Sequence, residues 1–242
     1  TYFLLMLFAI KEGEKVEAKP KTQGKCQLCG RDVFSKCGEV NVWHWAHYRD
    51  ENCDNWYEPE TEWHKNWKLI FGKDNSEIII SKDGIRHIAD IQTNEKIIIE
   101  LQNSPIQKPI IRRREDFYGE RMIWIINGMH FKHNFRIYPA GSGVNLINDN
   151  IYIDRHGIFN KNREEFTSQS KSEVIFSWDW SRKSWNEVQR FVFIDFGEEN
   201  LFWVLRGMGT RVGKGKQISK EIFIKKYGGD LERLESLIDK SK

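Results

Sequence analysis

No cysteine follows position 53; all four lie between Cys26 and Cys53. A secreted chain stapled by disulfides would spread its cysteines over the fold, so that framework is excluded. Interleaved with histidines, the cluster points instead to metal ligation in a reducing, cytoplasmic setting. A membrane-length apolar run is also lacking. Thr1 to Ile10 (TYFLLMLFAI) is nearly all apolar but about half the ~20 residues a spanning helix needs, and charged residues follow at once. Neither the basic leader nor the small-residue cleavage site of a signal peptide accompanies it. A first β-strand and no membrane association are expected, although residues can precede a chain that opens on Thr. Nor is there a large excess of one charge: 38 Lys and Arg against 35 Asp and Glu leave +3. That permits nucleic-acid binding without arguing for it, because phosphate recognition needs clustered basic groups. Tryptophan, by contrast, is abundant, with ten residues serving as core anchors or as stacking platforms. The length of 242 residues allows one sizeable core and a smaller module, and the composition is that of a folded protein.

Cys26-Gln-Leu-Cys29-Gly30 has the form of a zinc knuckle, in which glycine lets the backbone turn both thiolates toward one ion. His44-Trp-Ala-His47 and Cys53 follow. Four of these five side chains complete a tetrahedral site, and mixed sulfur and nitrogen donors favour structural Zn²⁺. His47 is the preferred histidine ligand, with His44 as a packing neighbour. A hairpin-like stretch, Asp32 to Trp43, joins the two halves, and Cys37 within it reads as a small buried side chain.

Further along, Trp63, Trp67, Ile70 and Phe71 recur at helical spacing. Glu60, His64 and Lys68 form a second line at i, i+4 and i+8 beside them, which by itself reads as a solvated, charge-paired edge. Two strands follow, Ile85 to Ile91 and Ile97 to Gln102, joined through Thr93 to Lys96. A four-residue turn there puts Asp90 beside Ile99 and within one position of Glu100. Glu100 and Gln102, two apart, emerge on one face. Carboxylates in such apolar strands are costly to bury unless neutralised, and converging Asp90 and Glu100 form a seat for Mg²⁺ or Mn²⁺. Arg112 to Arg114 and Tyr118 open and line a second helix, and Met122 to Ile126 reads as a buried strand.

These residues together resemble the competence protein CoiA-like family over roughly residues 7–127. The resemblance rests on the Cys-x-x-Cys, the His-Trp-Ala-His box and Cys53; on His64 and Lys68 four apart; on Ile88-Ala-Asp90-Ile91; and on Ile99-Glu-Leu-Gln-Asn-Ser104. Arg114 with Tyr118 and the Trp124 strand complete it. The resemblance implies an α/β (α+β) fold: a restriction-endonuclease-like αβββαβ core of the PD-(D/E)XK group, a small N-terminal zinc-binding module, and a β-rich C-terminal extension. The corresponding divisions are 1–57, 58–135 and 136–242. It also implies Mg²⁺- or Mn²⁺-dependent hydrolysis of DNA, with Asp90 and Glu100 holding the catalytic ion and Gln102 orienting water. Gln102 stands where many members of the wider group carry lysine, so Lys68 or Lys65 from the helix is expected to supply the missing cation. His64 accompanies it, and Glu62, with Glu60 as substitute, is the helix carboxylate. DNA, single-stranded DNA included, is the implied partner, and a homodimer is compatible with the sequence. The rival is a non-catalytic zinc-ribbon nucleic-acid adaptor; a third alternative is a structural protein whose C-terminal lobe recruits partners.

Beyond residue 130 a strand is expected at Ile151 to Asp154. Phe191 to Phe196 and Leu201 to Leu205 read as a hairpin turning at Gly197-Glu-Glu-Asn200. Short helices are expected over Lys220 to Lys226 and Asp230 to Ile238. Gly207 to Lys216 lacks the spacing of a phosphate-binding loop and reads as a flexible loop.

Overall fold

The computed structural model describes residues 5–39, 42–48, 53, 54, 56, 59–139, 144–147, 150–153 and 173–239. Six short strands come first: β1 (Leu5–Met6), β2 (Phe8–Lys11), β3 (Glu14–Glu17), β4 (Gln23–Lys25), β5 (Asp32–Lys36) and β6 (His44–His47). Helix α1 (Glu62–Phe71) leads into β7 (Ser76–Lys82), β8 (Ile85–Gln92) and β9 (Ile98–Gln102). Then come α2 (Lys108–Tyr118), β10 (Met122–Asn127), β11 (Phe135–Tyr138), β12 (Val144–Ile147) and β13 (Asn150–Ile153). The chain closes with β14 (Glu173–Trp178), β15 (Phe191–Asp195), β16 (Asn200–Arg206), β17 (Val212–Ser219), α3 (Lys220–Lys226) and α4 (Leu231–Asp239). The fold is mixed α+β and mostly strand. Among the described residues, no helix is long and apolar enough to cross a membrane.

Two compact units result, one of Thr1–Ser104 with Glu221–Lys242 and the other of Pro105–Lys220. The sequence divisions at 57/58 and 135/136 follow motifs, which is a criterion separate from compactness. In the first unit β1 to β6 form a sheet in the order β1-β6-β5-β4-β2-β3. The apolar start is thus two short strands, interrupted at Leu7. Residues 1–4 lie outside the described part. Met6, Ala9, Val33 and Trp45 form the core of this sheet together with Cys26 and Leu28, and Ile79 of β7 and Ile88 of β8 pack against it.

Helix α1 starts where Thr61 Oγ1 accepts the His64 N–H at 3.4 Å, and it stops at Gly72, whose φ of 80° few other residues adopt. The expected apolar stripe is buried: Trp63, Trp67, Ile70 and Phe71. The C-terminal helices return to it. Phe223 meets Trp67 edge-on, the Asp230 N–H donates to Ile70 O at 2.9 Å, and Arg233 donates to Leu69 O at 3.2 Å. Strands β7, β8 and β9 form an antiparallel meander. The pairing Ile91–Ile99 and Gln92–Ile98 differs by one position from the four-residue turn expected between β8 and β9. The Thr93 N–H bonds Ile97 O, which draws Ile97 into the turn and brings Asp90 directly across from Glu100.

In the second unit, β15 and β16 form the expected hairpin, and β16 pairs with β17. The expectation of a flexible loop over Gly207 to Lys216 is corrected here: Val212–Ser219 is strand β17. Its glycines exist for close packing. A Cβ on Gly213 would collide with the Arg206 carbonyl and the Phe176 ring, and one on Gly215 with the Phe202 ring. Gly215→Val is therefore expected to cost about 1–3 kcal/mol through overpacking, read as a lowered midpoint in urea unfolding. Trp178 and Trp185 are core residues, whereas Trp180 is 83% exposed. In the sequence all three were open to either role. The strand expected at Ile151 is β13, Asn150–Ile153; Asp154 lies outside the described residues.

Candidate active site and metal centre

Cys26, Cys29, His47 and Cys53 converge, their ligand atoms all lying within 4.8 Å of one another. The sequence fixes this locally. The Gly30 N–H bonds Cys26 O at 3.0 Å and Gly30 adopts a φ of 73°, closing the tight knuckle that turns both thiols inward. His47 ends β6 opposite Val33 and brings Nε2 to 3.3 Å from Cys29 Sγ, while Cys53 Sγ stands 3.5 Å from Cys26 Sγ. Hydrogen bonding to Cys53 outweighs burial and pulls the Cys26 thiol down to about 4, while Cys26, aided by burial, pushes the Cys53 thiol upward. A thiolate is therefore available to a cation. Three sulfurs and one imidazole at this spacing could hold a zinc ion. His44 turns away, with Nδ1 2.6 Å from Val42 O, and Cys37 packs as a partly buried side chain.

The second cluster is built on α1 and the meander. Lys68 is 3% exposed, and its ammonium meets three carboxylates: Glu60 at 2.7 Å, Glu77 at 3.0 Å and Asp90 at 3.4 Å. The line Glu60, His64 and Lys68 is thus not a solvated edge; all three side chains are buried. Burial opposes the charge on Lys68, but the fields of Glu60, Glu77 and Asp90 overcome it and hold the ammonium well above the ordinary lysine value. Lys68 is accordingly a fixed cation rather than a base. Burial pushes Glu60 the other way, toward its protonated form. Its Oε1 is buried and accepts no hydrogen bond among the described residues.

Glu77 carried no signal in the sequence reading and is central here. Its Oε1 accepts the Leu7 N–H at 2.7 Å and its Oε2 the Phe8 N–H at 3.0 Å. The β7–β8 register, running from Ser76–Ile91 to Ile78–Ala89, puts Glu77 across from Asp90. Glu77, Asp90 and Glu100 therefore form one row across three strands. Asp90 Oδ2 accepts the Leu101 N–H at 2.9 Å, and Glu100 Oε1 accepts the Asp90 N–H at 3.4 Å. Asp90 is the more open of the two, its side chain 22% exposed, whereas Glu100 and Gln102 are each 3% exposed. Gln102 donates through Nε2 to Ser104 O at 2.9 Å. His64 Nδ1 lies 2.8 Å from Thr61 Oγ1.

Among the other expected residues, Glu62 is exposed at the start of α1, and it is Glu60, just before the helix, whose carboxylate reaches Lys68. Lys65 is half-buried, and none of the ion pairs described here involves it. In the second unit Arg114 is buried with its guanidinium 5.9 Å from the Trp124 ring centre, Arg112 pairs with Glu187, and Arg113 is exposed. Glu77 heads an otherwise apolar run, Glu77-Ile-Ile-Ile, and nothing in that spacing marks its partners.

A small β module holding a Cys₃His cluster is therefore followed by a helix and a meander that carry an acidic row around a buried ammonium. Residues 10–55 match the family model described as "Competence protein CoiA, N-terminal domain", so this segment is similar to that domain. That match ends before α1. No curated protein and no solved structure matches the chain.

Proposed function

We propose that the chain is a divalent-metal-dependent nuclease that hydrolyses DNA phosphodiesters, in the competence-related role that the family match implies. The observation that carries this reading is the acidic row: Asp90 and Glu100 on adjacent strands, joined through backbone N–H groups, with one fixed ammonium 3.4 Å from Asp90. Glu60 and Glu77 already engage Lys68, so the pair Asp90 and Glu100 keeps an excess of negative charge. A hard divalent cation such as Mg²⁺ or Mn²⁺ fits that donor set. When bound, the ion would lower the pKa of a water and take up charge on the phosphate oxygens. The chain's own residues contribute the rest. Lys68 offers its ammonium to charge developing at the scissile phosphate, and the neutral amide of Gln102 helps orient the entering water. Glu60 and Glu77 hold Lys68 in place. Uptake, recombination and defence all provide such DNA substrates.

The test is incubation of purified protein with single- and double-stranded DNA and RNA, with Mg²⁺, Mn²⁺ or a chelator. Asp90→Ala and Glu100→Ala are each expected to abolish metal-dependent cleavage while the zinc content stays at one ion per chain. Full activity in both variants would refute the reading. DNA binding without any metal-dependent cleavage by the unmodified protein would favour the adaptor instead.

A further inference from the structure

The residue after the last cysteine of the Cys₃His cluster lies against the meander. Asp54 Oδ1 is 2.9 Å from His87 Nδ1 and accepts the Trp56 N–H at 3.0 Å, while Oδ2 accepts the Ile88 N–H at 2.8 Å. Trp56 stacks nearly parallel on the His87 ring. Both halves of this grip are well removed from solvent, the Asp54 side chain being 4% exposed and that of His87 11%. The Ile88 amide lies two residues ahead of Asp90 on β8. A second contact comes from inside the Cys26–Cys29 knuckle, where Gln27 Nε2 donates to Phe8 O at 3.2 Å and to Glu77 Oε2 at 3.4 Å. Cys26, Cys29 and Cys53 share an apolar cluster with Ile79 and Ile88 of the same meander. Loops from both ends of the cysteine cluster thus hold strands of the acidic row, one at Glu77 and one beside Asp90.

We propose that Asp54 is a positioning residue that fastens the Cys53 loop to β8, so that ligation of the Cys₃His cluster sets the placement of the Asp90 carboxylate. The proposal rests on the reading of Asp90 and Glu100 as a divalent-ion seat. A carboxylate with three partners fixes both the direction of the strand and the depth at which it lies; groups that bond metal ligands directly change affinity by about 10–100-fold when removed, and one acting through the strand backbone falls at the lower end of that range. An Asn at this position keeps one acceptor oxygen but turns an amide N–H₂ toward either Ile88 or His87, so it retains only part of the grip.

The experiment compares full-length protein with Asp54→Ala and Asp54→Asn, measuring zinc per chain, Mn²⁺ affinity by electron paramagnetic resonance, and amide hydrogen exchange over residues 85–92. With zinc retained, Asp54→Ala is expected to weaken Mn²⁺ binding about tenfold and to speed exchange over 85–92, with Asp54→Asn between it and the parent. Zinc withdrawal from the parent protein by a zinc-selective chelator is expected to loosen the same segment. Unchanged exchange over 85–92 in both Asp54→Ala and the zinc-depleted parent would overturn the proposal. So would unchanged Mn²⁺ affinity in Asp54→Ala when the parent binds the ion. If the parent binds no Mn²⁺, the reading of the acidic pair fails, and the exchange data still decide whether Asp54 ties β8 to the cysteine cluster.

Discussion

Lys68→Met is expected to lower DNA cleavage by roughly 10²–10³-fold, the loss typical of removing one preorganised charge-stabilising donor, while Mn²⁺ binding at the acidic pair persists. The expectation follows from the geometry of the ammonium. It sits 3.4 Å from Asp90, yet its closest partners are Glu60 and Glu77. Removing it makes the pocket more negative, which favours a divalent ion coulombically. What disappears is the positive charge available to a pentacovalent phosphate. Removal also leaves two buried carboxylates without their cation, and breaking such a buried network costs about 3–5 kcal/mol. Glu60, already pushed toward its protonated form by burial, absorbs part of that cost by taking a proton. Stability therefore has to be followed alongside turnover. Cleavage assayed well below the variant's unfolding midpoint, with metal affinity measured in parallel, separates the effects. Equal loss of cleavage and metal binding in a folded variant would sink the role assigned to Lys68.

Cys29→Ser is expected to empty the zinc cluster and to unfold the N-terminal sheet. Structural zinc in small modules contributes on the order of 10–16 kcal/mol of apparent binding free energy, which matches or exceeds the ~5–15 kcal/mol that stabilises a typical domain. The cysteines are also part of the apolar cluster around Trp45, so losing the ion loosens the core of this short-stranded sheet. Zinc per chain should fall below stoichiometric, and near-ultraviolet circular dichroism from the buried Trp45 should collapse. Cys37→Ser is the control, because Cys37 stands outside the ligand set. Full zinc content and an unchanged unfolding midpoint in Cys29→Ser would refute the assignment.

The Cys₃His cluster, which could hold a zinc ion, was legible in the sequence because its chemistry is local: two thiols three positions apart with a glycine behind them, then a histidine box and one more cysteine. His47 could be preferred over His44, and the structure turns His44 toward the Val42 carbonyl. The close placement of Asp90, Glu100 and Gln102 could be read from alternation along two strands, apart from a one-residue error in their pairing that turned on where Ile97 falls. Glu77 was not legible. Its partners are the amides of Leu7 and Phe8, some seventy positions earlier, and only the closed fold brings them together. Glu62 was preferred to Glu60 as the helix carboxylate, and the preference missed the Lys68 partner for a related reason. Helical spacing ranks residues within a helix, whereas Glu60 reaches Lys68 from the extended segment before the N-cap. The glycines of β17 misled because glycine is read as freedom of the backbone, when here it makes room for phenylalanine rings.

The return of α3 and α4 to α1 has a consequence for how the chain is made. Residues 105–220 form their own compact unit between two stretches that belong together, so the first unit is discontinuous along the chain. On a translating ribosome, Trp67 and the carbonyls of Leu69 and Ile70 emerge long before Phe223, Asp230 and Arg233, which cover and bond them. At typical elongation rates of 5–20 residues per second, the intervening segment takes on the order of ten seconds to appear. For that interval the helix bearing Lys68 stands with one flank uncovered, and the covering helices arrive only after the inserted unit has had time to fold.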